Sequence, residues 1–304
     1  MKMRMMKRRK YPSESMRTLN SLAVKKRLVE RELDRVLSWD DSPLLRVMRY
    51  AVFPGGKRYR PLLVLSSGAC FNVPPRLLLP FACAIELIHN YSLVHDDLPS
   101  MDNDDFRRGR PACHRAFGED LAILAGDGLL TLAFEVLAEA AVPAGALRRK
   151  QEAIRAVSRG AGVSGLIGGQ VLDITLKPKE VTRPKIDELI RMKTGALIAA
   201  AVEVGAILGQ ARPAERQAIL DYGKNVGLAF QVRDDILDSR RKKKRGVPDR
   251  PDYAAFAGQE KAGQRLENLV RKAVGSLARF SPRAEELRWL ALTLLEPKGE
   301  AGRA

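Results

Sequence analysis

The sequence predicts an all-α protein that folds as a single domain. Leucine and alanine dominate the chain, while aromatic residues make up only 6% of it. Such a composition favours helices over β-sandwiches and barrels. Apolar residues recur with helical spacing in most long segments, and no strand–helix alternation or repeat interrupts this pattern.

The predicted helices follow one another with proline or glycine between them. The first, over residues 20–39, is amphipathic and rich in Arg, Glu and Leu. Turn signals follow at FPGG (53–56), VPP (73–75) and RRGRP (107–111). The further helices are expected at 58–72, 76–98, 117–142, 146–163, 184–208 and 213–238, with a last pair near 252–278 and 283–295.

The chain shows one obvious composition break, at Arg240–Pro251. Too few residues follow this break to make an ordinary second domain. We therefore expect one domain over 20–296, a basic disordered tail over 1–19 and a flexible tail over 297–304.

The positive charge is concentrated in two runs. The net charge is +17, and the first ten residues and Arg240–Arg245 each hold six basic residues. Such runs are typical of solvated tails or loops, and they can also attract nucleic acid, anionic lipid or phosphorylated substrates. No nucleic-acid-binding motif accompanies them, so we expect no nucleic-acid partner.

Several features favour a cytoplasmic protein without a transmembrane segment. The three cysteines show no CxxC spacing, which argues against a disulfide framework. No apolar region follows the basic N-terminus, so it is not a secretory signal, and an organelle-targeting or surface-binding tail is the alternative to a disordered one. The most apolar segments carry Asp127, Glu135 and Glu203, which favours buried helices over membrane spans.

Two clusters of aspartates each follow an apolar helix. The first has the spacing DDxxxxD, at Asp96, Asp97 and Asp102, and the second has the spacing DDxxD, at Asp234, Asp235 and Asp238. Residues i, i+1 and i+4 of a helix lie largely on one face, so the second cluster projects its carboxylates together. Either the clusters are solvated helix ends, or they hold Mg²⁺, which takes oxygen ligands and bridges carboxylates to phosphates.

Basic residues next to the first cluster favour the metal interpretation. Arg107 and Arg108 follow it directly, and PGGKRYRP (54–61) supplies Lys57, Arg58 and Arg60. The arginine fork suits phosphate oxygens. Metal-binding carboxylates beside phosphate-binding bases predict a diphosphate site, with His89 as a further hydrogen-bond donor.

The motifs resemble those of trans-isoprenyl diphosphate synthases, and the bacterial farnesyl-forming type most of all. They are GGKRYRPLL, HNYSLVHDDLPSMDNDDFRRGRP, LAGDGLL, GGQVLD, KTGALI and FQVRDDILD, in the order expected of the family. The match runs from about residue 20 to 239. The resemblance implies an all-α isoprenoid synthase fold with helices around a central cavity, and a homodimer.

The resemblance also implies roles for individual residues. The isopentenyl diphosphate site comprises Lys57, Arg60, His89 and Arg108. The allylic diphosphate site comprises Arg107, Lys193, Thr194 and Gln231, with Gln170 and Asp173 lining the same cavity. Those expected to act in catalysis are Lys193, Arg107, Arg108 and Gln231. The Mg²⁺ ions, about three of them, are expected on Asp96, Asp97, Asp102, Asp234, Asp235 and Asp238.

The implied reaction is the Mg²⁺-dependent condensation of isopentenyl diphosphate with dimethylallyl and geranyl diphosphate, giving farnesyl diphosphate and pyrophosphate. Cations offset the charge that develops as the allylic C–O bond breaks. Tyr91 and Ser92 precede Asp96 by five and four residues, about one helical turn. We expect Tyr91 to form the floor that limits product length, beside the small Ser92.

The chain departs from the family pattern after Asp238. The segment SRRKKKRGVPDRPDYAAFAG replaces a longer loop, with Arg250 and Asp252 where the family has lysine and threonine. Geranyl or geranylgeranyl synthesis, or a non-catalytic subunit of a heteromeric synthase, therefore remain alternatives. A terpene cyclase is disfavoured, because it would not need Lys57, Arg60 and His89.

Overall fold

The computed structural model describes residues 12–242 and 253–296, with side chains described over 16–237, apart from Pro178, and over 253–296. In chain order its α-helices are α1 (Pro12–Val36), α2 (Pro43–Val52), α3 (Tyr59–Ala69), α4 (Pro75–Asp96), α5 (Cys113–Phe117), α6 (Glu119–Glu139), α7 (Leu147–Ala161), α8 (Leu166–Thr175), α9 (Arg183–Ile190), α10 (Ala196–Leu208), α11 (Pro213–Lys242), α12 (Tyr253–Ala257), α13 (Gln259–Ser276) and α14 (Glu285–Thr293). A two-stranded hairpin pairs β1 (Phe106–Arg107) with β2 (Arg110–Pro111).

The helices pack around one hydrophobic core, which confirms the predicted all-α fold. Helix α4 is buried over most of its length and packs between α6 and α3. Helix α10 packs against α3, α7 and α11, and α13 covers α11. The core is continuous from Leu22 in α1 to Leu294 beyond α14.

Small residues let two of these helices approach closely. A Cβ on Gly205 of α10 would lie 2.3 Å from the backbone nitrogen of Gly68 in α3. At the same crossing, the Ser67 hydroxyl donates a hydrogen bond of 2.6 Å to the carbonyl of Val202. The crossing therefore requires glycine at position 205.

Three helices are not predicted from the sequence, namely α2, α8 and the short α5. Helix α2 begins after Ser42, whose hydroxyl accepts from the backbone of Leu45, with proline at the first helical position. This serine–proline signal was present and is a known helix start. Helix α8 contains Gly168 and Gly169, whose low helix propensity hid it.

Several other helices have bounds that differ from the expectation, among them the segment predicted over 252–278, which consists of α12 and α13. The first helix, predicted over 20–39, begins already at Pro12. The segment predicted as one helix over 184–208 consists of α9 and α10, separated by a π-helical turn at Arg191–Gly195. Such turns occur frequently at functional sites.

By length and composition, helices α4 and α6 could each cross a membrane. Of the most apolar 18-residue stretch of α4, 72% is buried inside the protein, as expected of a core helix. The corresponding stretch of α6 is only 39% buried, and α6 exposes Ile123 and Leu124. The cytoplasmic location stays a prediction.

Candidate active site

One large cavity collects most of the residues singled out from the sequence. Its volume is about 780 Å³, and helices α3, α4, α8 and α11, the hairpin and the π-helical turn all contribute to it. The predicted residues that line it are Arg60, His89, Ser92, Asp96, Arg107, Arg108, Gln170, Lys193, Thr194, Gln231 and Asp234. The lining does not include Lys57, Tyr91, Asp97, Asp102, Asp173 or Asp235. The side chain of Asp238 and residues 243–252 lie outside the described residues.

The first aspartate cluster is formed by a turn that folds back on α4. This helix ends at Asp96, and the backbone N–H of Asp102 donates a 2.8 Å hydrogen bond to the Asp96 carbonyl. The six-residue spacing thus returns Asp102 to the end of the helix. Burial raises the pKa of Asp96 to about 6, with Lys193 opposing the rise and Asp102 adding to it. A bound cation would relieve this unfavourable environment.

Asp97 has a different environment from Asp96. It is buried, and its carboxylate accepts hydrogen bonds of 3.0 and 3.1 Å from Nε of Arg107, which also contacts it through Nη2. Burial raises the pKa of Asp97, and the pairing with Arg107 limits that rise. In this geometry Asp97 holds Arg107 at the cavity wall.

The hairpin places two consecutive arginines at the cavity. Its turn is formed by Arg108 and Gly109, which have φ angles of +54° and +79°. Arg110 anchors the hairpin, because its Nη1 donates a 2.8 Å hydrogen bond to the carbonyl of Phe53. Arg107 and Arg108 therefore both line the cavity, and Arg108 Nη1 lies 3.3 Å from Oδ1 of Asn90.

Arg60 and His89 line the cavity from α3 and α4, separate in sequence from the arginines of the hairpin, and we call them the second wall. Arg60 is buried with its guanidinium carbon 5.6 Å from the ring centroid of Phe230, and its buried Nε has no partner among the described residues. Burial and the neighbouring Arg60 and Arg108 hold the pKa of His89 well below its usual range. His89 is therefore neutral near pH 7 and can donate one N–H.

Arg58 belongs to the scaffold rather than to this wall. Its fully buried side chain forms ion pairs of 2.8 Å with Glu30 and with Glu86. It also fills the space beside Gly55, where a Cβ would lie 1.9 Å from the guanidinium carbon. Lys57, one residue earlier, is exposed. The sequence pattern predicts Arg58 as a phosphate-binding base, whereas the structure pairs it with two glutamates.

The π-helical turn brings Lys193 and Thr194 to the cavity. A Cβ on Gly169 would lie 2.2 Å from the backbone nitrogen of Lys193, so glycine lets α8 reach the turn. Nζ of Lys193 forms a 2.7 Å ion pair with Asp173. Helix α8 thus holds the lysine, while Gln170 directs two buried side-chain atoms without partners among the described residues toward the same cavity.

Two aspartates of the second cluster, Asp234 and Asp235, have different environments. Asp234 lines the cavity. Asp235 is buried and accepts hydrogen bonds from the Gln231 side chain (2.9 Å) and the Tyr253 backbone (3.0 Å). The Thr194 hydroxyl donates to Gln231 at 2.7 Å. Asp235 thus fixes the orientation of two cavity residues.

The predicted chain-length residues occupy two layers. Ser92 lines the cavity, whereas Tyr91 is buried and does not belong to the lining. The Tyr91 ring meets His95 edge to face at 5.8 Å, and its hydroxyl has no hydrogen-bond partner among the described residues. Sequence spacing did not distinguish these layers.

The donor set suits a hard cation that is shared with a ligand. No three acidic, histidine or cysteine side chains converge into a complete metal site in the described part of the chain. The cavity does present carboxylate oxygens from both clusters, through Asp96 and Asp234. Mg²⁺ commonly uses one or two carboxylates and completes its shell with water and substrate phosphates.

Asn90 and Phe230 are cavity neighbours that the sequence analysis does not predict, and the lining also includes Leu93, Phe106, Gly109 and Leu166. Asn90 lies one residue from His89 on a predicted core helix, and its side chain meets Arg108. Phe230 supports Arg60 and lies one residue before Gln231. Both belong to the quoted motifs, so adjacency was the only signal available.

A family model and individual relatives of known name match this chain and agree with one another. Residues 41–247 match the model of the polyprenyl synthetase family. Farnesyl diphosphate synthase of Escherichia coli is 41% identical over 254 residues, which is 81% of this chain and 85% of that protein. Geranylgeranyl diphosphate synthase of Cyanophora paradoxa is 38% identical over 278 residues, 88% of this chain and 92% of that protein.

Solved structures agree with the sequence matches. The crystal structure of an FPP/GFPP synthase from Zymomonas mobilis is 36% identical, with a TM-score of 0.82, and the match covers 92% of this chain and 100% of that one. The resemblance drawn from the motifs is thereby confirmed. The chain belongs to the polyprenyl synthetase family, and it is a prenyltransferase.

Proposed function

We propose that the protein condenses isopentenyl diphosphate head-to-tail with dimethylallyl and then geranyl diphosphate, releasing pyrophosphate and forming farnesyl diphosphate. The observation that carries the proposal is a single cavity shared by both aspartate clusters and two basic walls. Two diphosphates need two sets of cations, and a prenyl chain needs an apolar lining. Leu93, Leu166 and Phe230 contribute that lining.

Each wall takes one substrate in this proposal. Arg60, Arg108 and neutral His89 bind isopentenyl diphosphate, with Lys57 at the edge. Arg107, Lys193, Thr194 and Gln231 hold the allylic diphosphate. Charge-assisted hydrogen bonds from these side chains to the diphosphate oxygens are stronger than neutral ones. They hold the two substrates so that the reacting carbons stay close together.

We assign the Mg²⁺ ions that the resemblance implies to Asp96, Asp102 and Asp234. The neighbouring Asp97, Asp235 and Asp238 complete the expected set. When bound, the ions neutralise the charge on the departing diphosphate.

The chain's own residues account for the remaining steps. Lys193 and Arg107 stabilise the negative charge that develops as the allylic C–O bond breaks. The apolar lining excludes water from the allylic cation. The double bond of isopentenyl diphosphate then attacks the allylic cation and forms the new C–C bond. The resulting cation loses a proton to the released pyrophosphate, which restores a double bond.

A product assay tests this proposal directly. Purified protein receives isopentenyl and dimethylallyl diphosphate with and without Mg²⁺, and the dephosphorylated alcohols are identified by mass. A mainly C15 product that requires Mg²⁺ supports the proposal. No product in either condition, with diphosphate binding retained, would instead favour the non-catalytic subunit of a heteromeric synthase.

Geranylgeranyl synthesis is the second candidate. Ser92, rather than Tyr91, reaches the cavity, and a small residue there leaves space for a longer chain. A C20 product in the same assay would select this candidate, and a C10 product would indicate geranyl synthesis.

We further propose that two copies of the chain associate through α6. This helix is apolar, yet its most apolar 18-residue stretch is only 39% buried, and Ile123 and Leu124 are 44% and 55% exposed. Apolar helix faces of this kind are commonly covered by a partner.

A further inference from the structure

A second cavity lies at the start of α10, directly after the π-helical turn. It has a volume of about 260 Å³ and shares no lining residue with the large cavity. Helix α7, the bend that follows it and the first turns of α10 and α11 form its walls. Its size falls just below the range of about 300–1,000 Å³ typical of small-molecule sites, so a ligand must be small.

Small residues form the floor of the second cavity. Gly160 of α7 lies against α10, where a Cβ on it would be 2.9 Å from Cβ of Ala200 and 3.0 Å from the carbonyl oxygen of Ala196. The two helices therefore meet closely below, and the charged side chains stand around the opening.

The charges around this cavity are unequal. It is lined by Arg155, Arg159 and Arg216 and by Glu152 and Glu203. Arg216 bonds to both glutamates, at 2.7 Å from Nη2 to Glu203 and in direct contact with Glu152. The acidic side chains are thus already held by one arginine.

The other two arginines have no such partners. Arg155 and Arg159 lie one turn apart on the same face of α7, both exposed, and neither forms an ion pair with the described residues. Like charges at this spacing repel each other. An oxyanion between them would remove the repulsion, and each arginine can bind two of its oxygens.

We propose that the second cavity binds a small phosphate-class oxyanion, inorganic phosphate or diphosphate, between Arg155 and Arg159. The Ser164 hydroxyl, exposed at the same opening, supplies a further donor. The anion is held by side chains that take no part in the large cavity, and it rests on a floor too narrow for a long prenyl chain.

Occupation of this site changes substrate binding in the large cavity, a part of the inference that rests on the proposed function. Ala196 lines the second cavity and follows the turn whose Lys193 and Thr194 line the first. Ser164 lies two residues before Leu166, which also lines the first. A ligand that moves the start of α10 therefore moves the turn, and the coupling acts equally in both directions.

Calorimetric titration tests the site itself. Phosphate and diphosphate are titrated separately, with EDTA present, into the wild-type protein, into R155A/R159A and into R76A/R148A. The control removes two exposed arginines that line neither cavity, one of them also on α7. We expect R155A/R159A to lose one anion-binding equivalent or to bind at that site about tenfold more weakly, while the control retains it. Equal stoichiometry and affinity in all three proteins would overturn the proposal.

The two anions differ in what their binding would indicate. If only diphosphate binds, the source is the reaction's own product, whereas binding of both indicates a general phosphate sensor. Steady-state kinetics at increasing phosphate then test the coupling. We expect the KM for the allylic substrate to depend on phosphate differently in R155A/R159A than in the control, and identical dependence would refute the coupling. An inactive protein that still loses its anion site in R155A/R159A would contradict the proposed function and leave the binding site standing.

Discussion

Asp97 and Arg107 form a buried pair whose role separates two interpretations of the first cluster. If Asp97 only positions Arg107, Asp97→Asn weakens the binding of the allylic diphosphate. We expect the KM for this substrate to rise about tenfold, because a hydrogen bond to a charged group contributes roughly 1.5–3 kcal/mol. The Mg²⁺ requirement should not change. Asp105→Asn is the control, because Asp105 pairs with an exposed arginine, Arg115. A higher Mg²⁺ requirement in D97N would make Asp97 a metal ligand.

His89 gives the protein a defined pH dependence. Its pKa is lowered well below 6.5 in the folded protein by burial and by Arg60 and Arg108. Below pH 6.5 the unfolded chain therefore binds a proton that the folded chain does not, so the free energy of unfolding falls as the pH falls. The slope is at most about 1.4 kcal/mol per pH unit.

The variant His89→Gln removes this contribution. Its stability is expected to fall less between pH 6.5 and 5 than that of the wild type, measured by urea unfolding. Asp96 acts in the opposite direction, because its pKa is raised to about 6, but it is common to both proteins. Parallel stability curves would contradict a lowered pKa of His89 in the folded protein.

Tyr91 is the buried neighbour of Ser92, and we expect it to limit product length. Tyr91→Ala removes a large buried ring one residue from a cavity residue, so its product is expected to extend beyond C15, as measured by mass. Tyr91→Phe is the matched control, since it removes only a hydroxyl without a partner among the described residues. We expect C15 from the control, and C15 from Y91A as well would contradict the floor assignment.

At the scale of elements, the contact between α8 and the π-helical turn sets the position of Lys193. Gly169→Ala forces the two backbones apart, because the added Cβ would meet Lys193 N and Cα at 2.2 and 2.5 Å. We expect the melting temperature to drop and kcat/KM to fall by about tenfold or more, by analogy with other misplaced catalytic groups.

Gly263→Ala provides the corresponding control. Gly263 lies inside α13 with open space around it, so alanine there should stabilise the protein by roughly 0.5–1 kcal/mol. Equal effects of the two substitutions on activity would show that the close approach at Gly169 has no functional role.

Much of the element level was predictable from the sequence. Helix α4 combines a long apolar run with a proline start and an aspartate end, so its bounds were found within two residues. The split between α9 and α10 was not predictable, because the segment has continuous helical periodicity. The π-turn becomes visible only where Gly169 and Gly227 pack against it from other helices.

For the whole molecule, the exposed face of α6 predicts association of two chains. Leu124→Glu places a charge on that face, and we expect the mass measured by light scattering after size exclusion to shift from twice the chain mass toward that of one chain. Val163→Glu is the control, because Val163 is 84% exposed on the bend after α7. A wild-type protein that elutes as one chain would contradict the dimer.

The sequence by itself determined the fold class, the order of most helices and which stretches contain the site. These properties depend on periodicity, composition and spacing, which can be read from residues close to one another in the sequence. The tertiary structure decided which charged side chains face the cavity. Asp97 and Asp235 bind Arg107 and Tyr253 instead of lining it, and Arg58 is buried against Glu86. The direction of each side chain depends on partners that packing, not sequence distance, brings within a hydrogen bond.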